Sequence, residues 1–192
     1  MKFKILSEEL LSKNWATLTK VTYQFENENE LPGIAEREVY NRGNGATILL
    51  YNTEKGTVIL TRQFRIPTWY NGNPTGMMIE ACAGKLDDNE PEECIRRETQ
   101  EETGYTIGEV TKIMEVYMSP GSVTETIHFF IAPYSSAMKT SEGGGLDEEN
   151  EDIEVLELPF TKAYGMIKSG EIKDAKTIML LQHAKLEGLL SH

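Results

Sequence analysis

Three glutamates, Glu98, Glu101 and Glu102, fall within five consecutive positions of the segment GKLDDNEPEECIRRETQEETGY, which runs from Gly84 to Tyr105. On a helix, Glu98 and Glu102 project from the same face. Like charges at that spacing destabilise a helix by about 0.2–0.5 kcal/mol, and Glu101 adds a third carboxylate beside them. A hard dication removes the repulsion, because Mg²⁺ and Mn²⁺ take carboxylate oxygens together with water and substrate phosphate. Such a metal polarises phosphoryl oxygens and lowers the pKa of bound water, and a carboxylate not consumed by metal can accept a proton from the attacking water. The chemistry expected is Mg²⁺-dependent hydrolysis of a phosphate compound. A solvated, charged helix face would carry the same three acids. The surrounding spacing favours the metal: Gly84, Glu90, Arg97, Glu98, Glu101, Glu102 and Gly104 are seven fixed positions. At about 5–7% background each, they coincide with odds of order one in 10⁸ per start position.

The acids need a helix, and the sequence supplies one over 91–103. Asn89 with Glu92 three positions on reads as a capping box, Pro91 suits the first turn, and Gly104 suits the C-terminal stop. Residues 77–82, MMIEAC, form a short strand leading into the acidic segment. Before it, 46–51 and 57–65 are strongly apolar strands joined by the turn NTEKG, followed by a Pro-, Gly- and Asn-containing loop over 66–76. After it, 109–118 and 124–132 read as strands joined by SPGS, and 153–158 as another, with helices over 160–168 and 175–190. A polar stretch with a glycine triplet, SSAMKTSEGGGLDEENED, spans 135–152, and a loop of that length is functional or disordered. At the N-terminus, 14–25 and 34–42 read as two strands joined across ENENELPG. The expected fold is an α/β domain with a mixed sheet over 44–192, preceded by a strand-pair appendage over 1–43.

The 192 residues suffice for one domain with a small extension, and 39% hydrophobic residues supply a core. A net charge of −12 makes nucleic acid a poor partner and fits a site that binds metal first and phosphate through it. Cys82 and Cys94 provide no disulfide framework, and the scattered His128, His183 and His192 no zinc site. No stretch approaches a membrane span, and the charged N-terminal segment has no signal-peptide core. A cytoplasmic protein with reduced thiols and no membrane partner is expected.

The run from Gly84 resembles the Nudix box, the signature of hydrolases that split nucleoside diphosphates linked to another moiety. The family pattern places seven residues between its first Glu and the Arg-Glu pair; here there are six, which leaves the role of Glu90 open. The position after Arg97-Glu98, usually aliphatic, is Thr99. The resemblance implies a Nudix-type α/β/α sandwich in which Glu98 and Glu102 are metal ligands, Glu101 is a supporting ligand or alternative base, and Arg97 orients the acids.

The similarity continues through REVYNRGNGATILLYN, RQFR, WYNGN, EACAGKLD, YMSPGSVTE and EDIEVLELPF. There the chain looks like the GDP-mannose pyrophosphatase branch, near the nucleoside-diphosphate-sugar and ADP-ribose hydrolases. That branch implies hydrolysis of GDP-mannose to GMP and mannose 1-phosphate, with an ADP-ribose or broad nucleotide-sugar pyrophosphatase as the alternative and a non-catalytic nucleotide-sugar sensor ranked below. By the same similarity, Ala83 offers its carbonyl to the metal, Gly84 permits close backbone approach, and Glu151 is a further metal ligand or catalytic base, with Glu148 and Glu149 as alternatives. Arg65 would bind phosphate as a planar cation. Glu36, Arg37 and Glu38 would contact nucleotide or sugar. Lys85, Glu125, Asn150 and Lys176 complete the substrate contacts, and Trp15 would stack on the base from a partner subunit. The resemblance therefore implies a homodimer with shared active sites.

Overall fold

A computed structural model describes residues 2–27, 31–87, 89–146, 148 and 151–190. The chain divides into two compact units, Met1–Asn44 with Val116–Ile127, and Gly45–Glu115 with His128–His192.

The first unit is an antiparallel sheet of β1 (Lys2–Lys13), β2 (Thr17–Glu26) and β3 (Gly33–Asn41), in that order. The two strands expected from the sequence are β2 and β3; β1 is an addition. Its register against β2 slips between Ile5 and Ser7 and again between Leu10 and Ser12. Each slip swaps the face its side chains take, so Phe3, Ile5, Leu6, Leu10 and Leu11 all remain exposed. Segment 116–127 joins this sheet through Tyr40, whose N–H donates to Ser122 O at 2.8 Å and whose carbonyl accepts from Thr124 N at 3.0 Å.

The second unit contains β4 (Gly45–Asn52), β5 (Thr57–Phe64), α1 (Ile66–Tyr70), β6 (Met77–Glu80), β7 (Ala83–Lys85) and α2 (Pro91–Thr103). There follow β8 (Thr111–Tyr117) and β9 (Thr126–Pro133), of which residues 116–117 and 126–127 belong to the first unit, a 3₁₀ turn at Ser136–Met138, β10 (Glu154–Pro159), α3 (Phe160–Ser169) and α4 (Ala175–Leu186). Among the described residues the sheet order is β10-β5-β4-β9-β8, with β6 paired to β5 and β7 to β4. In β4, Ala46, Ile48 and Leu50 join Ile95 of α2, Ile59 and Phe130 in one cluster. The fully buried Leu49 faces the other side by alternation, and both α2 and α4 pack on β4. A strand buried on both faces is what the uninterrupted apolar run ATILLY encodes.

Two local expectations change. Segment 66–76 is not wholly loop, because Ile66–Tyr70 forms a short helix with proline in its first turn. The α2 start is not a capping box: Glu90 is the N-cap and makes no side-chain cap bond. Asn89 instead closes the preceding turn, its N–H donating to Leu86 O at 2.8 Å and its side-chain amide to the same carbonyl at 3.2 Å. The C-terminal stop is as read, with Gly104 in the left-handed conformation at φ 78°.

Candidate active site

The site is built where β7 runs beneath α2. Gly84 pairs with Ala46 and Ala83 with Thr47 on β4. The preceding carbonyl, of Cys82, accepts from Ile48 N and from Thr47 Oγ1, each at 3.0 Å. This backbone is therefore fixed, and α2 lays two carboxylates on it. Glu98 packs so closely that a Cβ on Gly84 would come within 2.1 Å of its carboxyl carbon. Glu102, only 2% exposed, accepts from Ala83 N at 3.3 Å. The helix reaches this depth because its buried stripe comprises Cys94, Ile95, Thr99, Glu102 and Thr103. Thr99 replaces an aliphatic residue without stranding its hydroxyl, which donates to Ile95 O at 2.6 Å.

Burial of these carboxylates shows in their acidity. Desolvation pushes Glu98 up to about 7, with the Arg97 charge opposing and Glu101 assisting. Glu102 is pushed up to about 8, first by desolvation and then by Glu98 and Glu151, against a hydrogen bond from Cys82 and the positive charge of Arg65. Cys82, buried beside Glu102, has its thiol raised well above the ordinary range by the same burial.

Arg97 spans the outer acids. Its Nη2 donates to Glu98 Oε1 and its Nη1 to Glu101 Oε2, both at 2.7 Å. The glycine loop docks on the end of α2: Gly144 N donates to Glu102 O at 2.9 Å and Gly145 N to Glu101 O at 3.1 Å, which satisfies carbonyls a helix end leaves open. A cleft of about 380 Å³ lies here, lined by Arg97, Gln100, Glu101, Ser141, Gly143, Gly145 and Leu146. Glu151 is held against the loop, its Oε2 accepting from Leu146 N at 3.2 Å, and its Cβ would stand 2.6 Å from a Cβ on Gly145. Its charge raises both Glu98 and Glu102. The alternative Glu149 and the substrate candidate Asn150 lie outside the described residues. Glu90 is an exposed N-cap whose carbonyl accepts from Cys94 N at 3.0 Å.

Arg65 and Lys176, far apart in sequence, meet through a residue sequence reasoning missed. Arg65 Nε donates to Glu80 Oε2 at 2.7 Å, and Lys176 Nζ stands 3.6 Å from Glu80 Oε1. Lys176 also donates to Asp174 Oδ1 at 2.7 Å. A lone acid at the end of a short strand gave no signal for this role; the partners come together only by folding. Lys85 flanks Gly84, with its ammonium 3.7 Å from Asp87.

The remaining candidates belong to the first unit. Glu36 is paired to Lys20 at 3.0 Å, Arg37 donates to the Glu36 carbonyl at 2.7 Å, and Glu38 lies opposite Lys20 on β2. Arg42, also missed, links the other two: it lies 5.1 Å over the exposed Trp15 ring, and its Nε stands 3.2 Å from Glu125.

Among the described residues, no three His, Cys, Asp or Glu side chains stand gathered as a ready metal-holding set. Arg97 and the Ala83 N–H engage oxygens of the glutamates instead. The donor chemistry nonetheless fits a hard divalent cation. Carboxylate oxygens from Glu98 and Glu102 converge on a strand that only glycine allows so close, and their raised proton affinity is what an added positive charge would relieve.

A family model for the NUDIX domain matches residues 41–181, and one for the GDP-mannose pyrophosphatase NudK N-terminal domain matches residues 2–40. A GDP-mannose pyrophosphatase of Klebsiella pneumoniae is 53% identical over 191 residues, covering 100% of this chain and 96% of that protein. One from Pectobacterium atrosepticum is 58% identical over 184 residues, with 96% and 94% covered. One from Escherichia coli K12 is 56% identical over 186 residues, with 97% and 96% covered. A crystal structure of an ADP compounds hydrolase shares the fold, with a TM-score of 0.74 and 19% identity, covering 98% of this chain and 96% of that one.

Proposed function

The chain belongs to the Nudix family, and from that premise we propose that it hydrolyses the diphosphate bond of a nucleotide sugar, converting GDP-mannose and water to GMP and mannose 1-phosphate. Relatives 53–58% identical along nearly their full length carry the name GDP-mannose pyrophosphatase. The observation that carries the reading is the seating of Glu98 on Gly84 and of Glu102 on the Ala83 N–H, with Arg65 close enough to lower the Glu102 pKa.

Nudix hydrolases use divalent metal ions, and here we take the ion to be Mg²⁺, with Mn²⁺ as substitute. Glu98, Glu102 and the Ala83 carbonyl would hold it, with Glu151 as a further ligand where Glu101 serves as the base. When bound, such an ion polarises phosphoryl oxygens and acidifies water. The side chains of the protein do the rest. Glu151, with Glu101 as the alternative, accepts the proton of the attacking water as a P–O bond forms and the bridging P–O bond breaks. Arg65 and Lys176 hold phosphate charge, Arg97 orients Glu98 and Glu101, and Gly84 and Lys85 line the approach.

The 1–43 appendage serves dimerisation and substrate contact. Exposed apolar residues along β1 and the exposed Trp15 support a homodimer in which Trp15 stacks on the base bound by the partner, with Glu36, Arg37, Glu38 and Glu125 as further contacts. Light scattering on an active fraction should give a dimer; an active monomer would overturn the Trp15 role. We place the protein in the cytoplasm, where its two buried free thiols fit a reducing compartment. Among the described residues no helix is long and apolar enough to cross a membrane.

The substrate reading is tested by incubating the protein with MgCl₂ and GDP-mannose, GDP-glucose, ADP-ribose or NADH and separating the products. GDP-mannose should turn over fastest. ADP-ribose turnover far above it would overturn the assignment.

A further inference from the structure

We propose that Glu80 is a positioning residue that aims two substrate cations, Arg65 and Lys176, at the diphosphate; this rests on the hydrolase reading above. Glu80 ends β6 and is only 6% exposed. A buried carboxylate is strongly unfavourable unless paired, and this one divides its oxygens between two elements. Oε2 accepts from Arg65 Nε at 2.7 Å, at the N-cap of α1, and Oε1 faces Lys176 Nζ at 3.6 Å, in the first turn of α4.

The backbone around Glu80 is fixed on both sides. Its carbonyl accepts from Thr61 Oγ1 at 3.2 Å, and the next N–H, of Ala81, donates to Thr177 Oγ1 at 2.6 Å. Thr177 Oγ1 in turn donates to Asp174 Oδ2 at 2.6 Å. The α4 start is thus tied to the strand that carries Glu80.

The consequence lies in what remains free of this carboxylate. A guanidinium has five N–H donors in a rigid fork. Taking Nε inward leaves the terminal edge of Arg65 unspent on Glu80, and the side chain is 41% exposed. Two phosphate oxygens can be met there side by side. Lys176 is held by Asp174 and Glu80 together, so its charge is fixed where a flexible lysine would otherwise wander. Glu80 touches no reacting atom in this scheme; it acts through the two cations.

The test is Glu80→Gln, assayed with MgCl₂ and GDP-mannose, alone and in an Arg65→Ala background. KM should rise roughly tenfold or more while kcat changes less than about threefold, as expected when a charge-assisted hydrogen bond that sets ground-state binding is lost. In the Arg65→Ala background the added effect should fall clearly below that of Glu80→Gln alone, because only Lys176 is then left for Glu80 to hold. An unchanged KM, or an effect that multiplies fully in that background, overturns the proposal. A purely structural role would lower the melting temperature and the active fraction without moving KM, which also overturns it.

If Glu80→Gln does not fold, Arg65→Lys carries the test. It keeps the charge but loses the Nε that Glu80 grips, so KM should rise, and a normal KM refutes the role. Calorimetric binding of GDP with MgCl₂ separates this proposal from the functional reading. Weaker GDP binding by Glu80→Gln supports the positioning role even if no nucleotide sugar is turned over, an outcome that sinks only the hydrolase reading. Equal GDP binding by variant and wild type overturns the positioning role.

Discussion

Gly84→Ala is a small change with a large expected effect confined to activity. The backbone of Gly84 lies outside the left-handed region, so alanine meets no strain of its own. The added Cβ would instead stand 2.1 Å from Glu98 Cδ and 2.3 Å from its Cγ and Oε1. Ordinary contact begins at 3.4 Å, so the Glu98 carboxylate must retreat by about 1 Å or more, and a displacement of that size at a reacting centre costs on the order of 10²-fold. The clash falls on the end of a flexible side chain, not on backbone, so the fold should tolerate it. The assay is GDP-mannose turnover with MgCl₂, paired with thermal unfolding. The expected result is a loss of about 10²-fold in kcat/KM with a melting temperature within about 2 °C of wild type. Activity within about threefold of wild type would refute the claim that Glu98 must sit on this glycine. A large fall in melting temperature would show that the packing matters to folding instead.

Other perturbations probe separate parts of the structure. At Gly145, φ is 83° and an added Cβ would come within 2.5 Å of Glu151 Oε2, so Gly145→Ala should lower kcat roughly tenfold or more by moving the acid; unchanged kcat would remove Glu151 from the reaction. Asp174 caps α4, accepting from Thr177 N at 2.9 Å, and Asp174→Ala should cost about 1 kcal/mol or a little more, read as a melting-temperature fall of roughly 2–4 °C. Although burial raises the Asp174 pKa, Lys176 and Thr177 outweigh it and hold the carboxyl below its usual value. Its stabilisation is therefore present above the unfolded carboxylate pKa and lost as pH falls through the lower folded value. The deficit of Asp174→Ala relative to wild type should persist at neutral pH and close only in strong acid; a deficit that closes above about pH 5 would contradict the cap pairing.

The helix that carries the glutamates was legible because its signals are local: Pro91 in its first turn and Gly104 at its stop lie within one segment. The strand ATILLY was legible because both its faces are buried, and TVILTRQF through the buried apolar run Val58, Ile59 and Leu60, although Arg62 and Phe64 at its end are exposed. β1 was not, since its two register slips carry apolar residues to both faces and leave KFKILSEELLSK without a clean alternation. The three-residue β7 is too short to leave a pattern, and its pairing with β4 is a consequence of folding. Asn89 carries the composition of a cap but closes the turn ahead of the helix, because Asp87 takes a left-handed backbone at φ 46° and brings Leu86 O within its reach. The acids of α2 could be placed from their spacing. Of the partners that contact Arg65, Lys176 and Trp15, Asp174 is a local helix cap two residues before Lys176, whereas Glu80 and Arg42 carry no local signature. Those two matter only through contacts between segments remote in sequence.

The central claim is that hydrolysis depends on the buried α2 carboxylates as holders of a divalent cation. Glu102→Gln tests it most directly, because the substitution keeps the side-chain shape while removing the charge from the deepest acid of the site. With MgCl₂ and GDP-mannose, release of GMP and mannose 1-phosphate should fall by about 10²–10³-fold or more, with melting temperature unchanged or raised as a buried acid is replaced by a neutral amide. Turnover near the wild-type rate would contradict the account.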